Sequence, residues 1–493
     1  MPYRPEFEAW LNGWQDWLDH AEVAVGTPYL LSPAFEYDTE LNSFFRSSVM
    51  LHRPENSLAA YARDMAAFFT FLWVARDRKS WRAALEADHL AYKSWRTKEL
   101  HCSGSTWGRE VATVNVFYKW ALQEGICPAN PIPQRAARLR PRGRLGSAAS
   151  EVSVPATGPH HARREKIQWL PPKSYREWRD IGIRGYGLDG LPDAGFRGRW
   201  IGRNAAFCDL MVRTGLRRAE QNSLTVFDLP RDPLPSNRGY QRFWLPASIA
   251  KWGSARWIYV PVGTVRELSV YRELDRKDIV ESARARGIYR RIRSPLVIQD
   301  PSRPEIILTS GLGAGKRVQL EHMSASERQR VFIDTNDGLE PAAFWLSEEG
   351  MPLAAGTWTG IFATASDRCE AKGSEVRCHP HMLRHSFAVV TLEQLQRGHL
   401  RELSGMSPAQ RTHYTQVFGD PLDWVRRRLG HASVATTQAY LHCLAELEME
   451  TRMELVPDSW ADPRDSPLEF VSEENASAKR SNRSNGEHGQ EFV

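Results

Sequence analysis

Residues 134–165 hold little that a folded chain could bury. Arg135, Arg138, Arg140, Arg142 and Arg144 crowd a stretch that also contains Pro141, Gly143 and Gly146, and Ser, Ala and Pro residues follow before Arg163, Arg164 and Lys166. A segment with so few apolar groups cannot offset the entropy of ordering itself, so it is expected to be a flexible or extended linker. It divides the chain into two blocks, each of which must find its own core. The plain reading is a solvated basic linker. The sharper reading is a strap along a phosphate backbone, where these arginines meet complementary charge.

The block before the linker, residues 41–133, has helical patterning. Leu58, Tyr61, Met65, Phe68, Phe69 and Leu72 recur with a period near that of an α-helix, and Ser57 is placed to cap its start. A second helix is expected from about Thr106 to Glu124, with Val111, Val114, Phe117, Tyr118 and Ala121 inward and Gly125 stopping it. Asn130-Pro131 then breaks the chain. Ahead of this block, within residues 1–40, Phe7, Trp10, Leu11, Trp14, Trp17 and Leu18 fall on one helical face. That arm either docks on its own domain or touches DNA or a partner. Residues 166–456 form the largest block, mixed helix and strand, with insertions near 280–335, where no clear period shows, and 391–425. Residues 457–493 turn to Asp, Glu, Ser, Asn and Gly and are expected to be disordered. No internal repeat is present. The fold expected is mainly α with a small β-sheet.

Composition narrows the function classes. A length of 493 residues suits about three domains. Lys and Arg outnumber Asp and Glu by 65 to 59, a mild excess compatible with a polyanionic partner. No apolar run approaches the roughly 18 residues that span a bilayer, and the N-terminus lacks a charged-then-apolar signal. Six scattered cysteines are too few for a disulfide scaffold. These features point to a cytoplasmic protein, nucleoid-associated if DNA is its partner, with no membrane role.

Four short segments of the large block carry chemistry. In Arg213-Thr-Gly-Leu-Arg217-Arg-Ala-Glu220, Gly215 permits a tight bend and Arg217 emerges just after it. In Phe243–Pro261, apolar and aromatic residues flank a Gly-containing turn, a β-hairpin with Lys251 near its tip. In His379-Pro-His381-Met-Leu-Arg384-His385, Pro380 suits a first helical turn, and His381 and Arg384 share a face. In Leu429-Gly-His431 through Tyr440, Gly430 looks like a helix stop, and His431 meets Tyr440 only if the chain turns between them. Singly, each also reads as an ordinary surface arginine, turn lysine, satisfied histidine or half-buried tyrosine.

Together, in this order and spacing, the four segments resemble the catalytic boxes of the tyrosine recombinases, the phage integrase family. Thr214-Gly-Leu-Arg217-x-x-Glu220 resembles the first arginine box, Lys251 ahead of Tyr259-Val-Pro261 the hairpin lysine, and His381-x-x-Arg384-His385 the second arginine box. Leu429-Gly-His431 followed by Tyr440 resembles the closing histidine and nucleophile. Tyr61, Asp64 and Phe68 with Asn130-Pro131 resemble the family's helical core-binding domain. The likeness covers roughly 57–131 and 166–445. It implies a helical core-binding domain and a mixed α/β catalytic domain that clamp double-stranded DNA from two sides. It also implies a homotetramer on two recombination sites, monomeric when free, with room for accessory proteins. Its catalytic set would be Arg217, Lys251, His381, Arg384, His431 and Tyr440.

The residues suit that reaction. Attack on a phosphodiester builds negative charge, which the guanidinium forks of Arg217 and Arg384 would stabilise. Tyr440 would attack phosphorus, leaving a 3′-phosphotyrosine and a free 5′-hydroxyl. His381 is the candidate acid/base for its proton, Lys251 would protonate the departing oxygen, and His431 would hydrogen-bond the phosphate. No metal or other cofactor is needed when side chains supply the charge. The stretch between Arg384 and His431 is longer than the compact pattern, and Tyr414 within it is a rival nucleophile by residue type only. The longer arms and insertions suggest the integrase of a mobile element. The rivals are a type IB topoisomerase-like enzyme and a catalytically silent DNA-binding regulator of the same fold.

Three other segments invite readings that fit less well. Gly311–Arg317 is one residue short of a P-loop and has Arg317 where Ser or Thr would bind Mg²⁺. Asp334–Gly338 places its glycine one position early for a calcium loop, and is expected instead to turn into a strand at Ala343–Leu346. Cys369, Cys378, His379, His381 and His385 lack the paired spacing of a zinc finger.

Overall fold

A computed structural model describes residues 23, 26–139, 150–159, 167–230, 239–292, 295–302, 308–309, 318–404, 407 and 420–453. The Trp-rich arm at 7–18, Arg140, Arg142, Arg144, the 311–317 glycine segment, Tyr414 and the 457–493 tail lie outside these residues. The chain divides into two compact units, Met1–Glu165 and Lys166–Val493.

The first unit is built on helices α1 (Glu55–Ala75), α2 (Glu86–Ser94) and α3 (Gly104–Gln123). The apolar stripes read from the sequence turn inward, so Met65, Phe68, Leu72, Val111, Val114, Phe117 and Ala121 are buried. Phe117 is the hub, with the rings of Phe44, Phe69 and Trp81 at 5.2, 5.4 and 5.2 Å. Three carboxylates are buried with partners: Asp64 with Arg109 and Thr113, Glu110 with Arg96 and Tyr92, and Asp88 with Lys79. α1 starts two residues earlier than Ser57, after Pro54, so Ser57 is not the cap. α1 is also long and apolar enough to cross a membrane, contrary to the expectation that no such run exists. Its inward face packs into this core.

The segment expected as an unstructured linker is partly ordered. Strands β1 (Gln134–Leu139) and β2 (Ser150–Pro155) pair antiparallel, with Gln134 opposite Pro155 and Leu139 opposite Ser150. The hairpin does not build a core; it borrows α3. Lys119 donates to the Ser153 carbonyl at 2.7 Å, Trp107 donates to the Thr157 carbonyl at 2.8 Å, and the Thr157 hydroxyl meets His89 at 2.7 Å.

The second unit starts with α4 (Pro172–Trp178), α5 (Ile201–Thr214) and the short α6 (Arg218–Asn222). The hairpin β3 (Tyr240–Leu245) and β4 (Arg256–Pro261) follows, with Phe243, Leu245, Ile258 and Val260 inward. Then come α7 (Val262–Tyr271) and α8 (Lys277–Ala285). Strands β5 (Leu296–Ile298), β6 (Leu308–Thr309), β7 (Val331–Thr335) and β8 (Gly338–Pro341) form one sheet in the order β6-β5-β7-β8; only β5 and β7 run parallel. The 280–335 region is therefore no appendage, since Ile298, Val331 and Ile333 join the main core. Asp334–Gly338 is the β7–β8 turn. Residues 343–346, expected as a strand, make only isolated bridges at Ala343 and Leu346. Helices α9 (Thr357–Ala371), α10 (Pro380–Ser404), α11 (Pro421–Leu429) and α12 (Val434–Met453) complete the unit. Trp358 of α9 stacks on Phe207 of α5 at 3.5 Å, tying these two helices together.

Candidate active site

Three local features of the backbone bring the four segments together. Gly215 ends α5 in the left-handed conformation (φ 68°), and a Cβ there would sit 2.4 Å from the Phe387 ring. The chain can therefore reverse hard against α10 before Arg217. Pro380 opens α10, whose first turns carry His381, Arg384 and His385. Gly430 ends α11 at φ 65°, with Ser254 Oγ 2.8 Å from where a Cβ would lie. The chain then turns, and α12 starts at Val434 and carries Tyr440 on its second turn.

A buried carboxylate organises the cations. Glu220 is 1% exposed. It accepts from Arg217 Nη1 at 2.7 Å, from the Arg217 backbone N–H at 3.0 Å, from Arg256 Nη2 at 2.7 Å and from the Lys251 N–H at 3.3 Å. Burial alone would raise its pKa, but Arg256 and Arg217 outweigh burial and hold it at about 2. Glu220 thus fixes Arg217 and the start of the Lys251 turn to one point. Arg256 continues the tether, donating Nε–H to the Arg428 carbonyl at 3.0 Å. The Lys251 side chain is exposed at the tip of the β3–β4 hairpin, with Nζ 6.0 Å from the centre of the Trp252 ring.

Arg384 is 2% exposed. It donates to the Gly215 carbonyl, to the Leu429 carbonyl at 2.6 Å, and contacts His431 Nε2 at 3.2 Å. It therefore touches the bend before Arg217, the end of α11 and the closing histidine at once. Burial lowers its pKa to about 9, and the nearby Arg217 adds to the shift. Such a cation has unspent charge, as expected of a seat for an anion.

Tyr440 is 3% exposed. Its hydroxyl lies 2.9 Å from His385 Nδ1, and its ring lies nearly parallel to His431 at 6.3 Å. His431 Nδ1 is held by the Thr437 hydroxyl at 3.0 Å. Burial raises the pKa of the phenol, and Arg384 only partly offsets this. Burial lowers His385 to about 4, helped by His381 and Arg384, and lowers His431 to about 3, helped by Arg384, Arg217 and Arg256. His381 is exposed, with its ring 4.7 Å from that of His385. The packed protein around it, and then Arg384, lower its pKa too.

The structure thus gathers Arg217, Arg384, His431 and Tyr440, with Lys251 tethered beside them and His381 at the edge. Glu220 and His385 stand within the motifs read from the sequence, and Arg256 within the hairpin segment, but none was given a place at the centre. The signal for Glu220 was its spacing of three from Arg217; nothing local announced Arg256 or His385. Of the basic strap, Arg135 is exposed on β1, and Arg138 lies on the same strand. Among the described residues no group of three or more His, Cys, Asp or Glu is arranged to hold a metal ion. None of the six cysteines forms a disulfide, and five are buried.

Comparisons with known proteins follow the same lines. Residues 45–125 match the phage integrase N-terminal SAM-like domain model. Tyrosine recombinase XerC of Xylella fastidiosa, in strains M23 and Temecula1, is 27% identical over 171 residues, covering 30% of this chain and 50% of the relative. The chain thus spans about half the length of the curated relatives it matches. Similar solved structures include a XerH site-specific recombinase bound to palindromic difH substrate. It shows 14% identity, a TM-score of 0.44 and coverage of 86% of this chain and 90% of that one. A lambda integrase dimer bound to a core site shows 11% identity, a TM-score of 0.41 and coverage of 81% and 93%. In its domain match, its curated relatives and its ordered motifs, this chain is similar to the tyrosine recombinases, or phage integrases.

Proposed function

We propose that the chain cuts and rejoins DNA at specific sites through a 3′-phosphotyrosine intermediate, in the service of a mobile element, and that it works as a tetramer on two sites. One observation carries the reading. The buried Tyr440 phenol and Arg384 form one contiguous network with the half-buried His385 and His431, and Glu220 tethers Arg217 and the Lys251 turn beside it. In this reading Arg217 and Arg384 hold the non-bridging phosphate oxygens. Tyr440 Oη forms the bond to phosphorus as the bond to the 5′-oxygen breaks. Lys251 supplies the proton to that oxygen, and its exposed, tethered position leaves its side chain free to reach into bound DNA. His431 hydrogen-bonds the phosphate, and His381 takes part in proton transfer. The phosphotyrosine keeps the bond energy, so rejoining needs no ATP.

The test uses nicked suicide duplexes tiled across the DNA that flanks the gene, incubated with the full chain. A covalent adduct is expected on some tiles and is expected to vanish in Tyr440→Phe. Binding without adduct on every tile points to a silent regulator. Relaxation of any supercoiled plasmid without site preference points to a topoisomerase-like enzyme. An adduct that persists in Tyr440→Phe removes Tyr440 as nucleophile.

A further inference from the structure

The second arginine box contains two histidines, and the structure gives them different surroundings. His381 is exposed and touches His385 edge to face, at 4.7 Å and 82°. His385, one turn further along α10, faces the phenol of Tyr440, with Nδ1 2.9 Å from Oη. His431, the other imidazole near the phenol, has both ring nitrogens engaged, Nδ1 by Thr437 and Nε2 by Arg384. Tyr440 is packed with Phe387, Leu429 and Cys443, so water has little access to its hydroxyl.

We propose that His385, rather than His381, takes the proton from Tyr440 during strand cleavage, and that exposed His381 is the outlet to solvent. The inference rests on the cleavage reading above and deepens it. The step balances. The Tyr440 Oη–P bond forms, the P–O5′ bond breaks, the phenolic proton moves to His385 Nδ1, and the 5′-oxygen takes a proton from Lys251. Rejoining runs the same transfers backwards. The charged and titratable groups around His385 are His381, Arg384 and His379 from its own segment, and Tyr440 and His431 from the α11–α12 side. Burial first, and then the neighbouring imidazoles and the Arg384 cation, keep the His385 ring neutral at pH 7, so a nitrogen lone pair is available.

The experiment places 3,5-difluorotyrosine, a more acidic phenol, at position 440 of the full chain. His385→Phe is expected to slow adduct formation on the suicide duplexes by about 100-fold at neutral pH. The difluoro phenol should restore at least tenfold of that loss. His385→Asn, whose side-chain amide can still hydrogen-bond Oη, checks that the loss is not a folding defect; it should fold and remain slow. His381→Gln should show a smaller defect and little rescue. A His385→Phe protein that cleaves at the wild-type rate, or rescue confined to His381→Gln, overturns the proposal. A DNA-free readout separates this from failure of the cleavage reading. The ¹⁹F resonance of the residue-440 phenol should titrate differently in His385→Asn and wild type. Identical titrations overturn the contact whether or not the wild type cleaves any DNA.

Discussion

Glu220 is the residue on which the cation cluster depends. It is a carboxylate with almost no solvent exposure, satisfied by two guanidinium groups and two backbone N–H groups. Removing one partner of a buried ion pair leaves the other charge uncompensated, at about 3–5 kcal/mol. Glu220→Gln keeps the shape but not the charge, and is expected to destabilise the second unit on that scale in urea unfolding. It should also cut adduct formation sharply, because Arg217 and the Lys251 turn lose their common anchor. The acid limb of stability carries the same signature. The folded pKa of Glu220, about 2, lies below the ordinary carboxylate range. Its contribution is therefore complete above about pH 4.3 and is lost as pH falls toward 2. The half-buried imidazoles act over a higher window. An unfolded chain protonates them near pH 6.5, whereas the folded chain keeps His385 neutral to about 4 and His431 to about 3. The unfolded state binds more protons in that interval, so stability falls as pH drops from about 6.5 toward 4. His385→Phe should flatten that part of the curve, and Glu220→Gln should flatten only the part below it.

The elements serve the site mainly through where they stop. Gly215 ends α5 at positive φ, and the Phe387 ring occupies the place of its missing side chain. In Gly215→Ala, a left-handed non-glycine residue costs about 1–2 kcal/mol, and the clash adds to it. The Arg384 donation to the Gly215 carbonyl would shift as well. Gly215→Ala is thus expected to lower the melting temperature and to lose cleavage beyond what its stability loss explains; wild-type cleavage in a folded Gly215→Ala protein would show that the bend does not position Arg217. Such stops were legible in the sequence, since Gly215, Pro380 and Gly430 each announce their boundary through local backbone chemistry. The apolar stripes of α1 and α3 were legible for the same reason. What could not be read was contact across distance. Glu220 meets Arg256 across 36 positions, Arg256 meets the Arg428 carbonyl across 172, and His385 meets Tyr440 across 55. Nor could the β1–β2 hairpin be seen, because its support comes from α3 rather than from its own side chains. The sheet of β5 to β8 was missed because strands of two to five residues are too short to show a period.

At the scale of the whole molecule, every residue proposed for the chemistry belongs to the unit that starts at Lys166, while the basic strap belongs to the unit before it. The division of labour can be tested by salt. Each phosphate neutralised by a cation releases a condensed counterion, so the logarithm of the binding constant falls with the logarithm of salt by about 0.9 per contact. Arg135 is exposed on β1 and Arg138 shares that strand. Arg140, Arg142 and Arg144 follow within a few residues in the sequence. If the strap tracks a phosphate backbone, replacing all five by Ala should weaken binding to duplex DNA equally across sequences. The salt slope should fall by several units, about 0.9 for each arginine in contact. Cleavage within the bound complex should change little, because none of the five lies in the unit that holds Tyr440. The 166–493 fragment, which has a core of its own, should fold alone, keep the ¹⁹F signature of residue 440 and show the same reduced slope. An unchanged slope in the five-alanine protein, measured by anisotropy on a nonspecific duplex, would mean that the arginines are only a solvated face. Affinity must then come from cations of the second unit, with Arg217 and Lys251 as the proposed phosphate contacts.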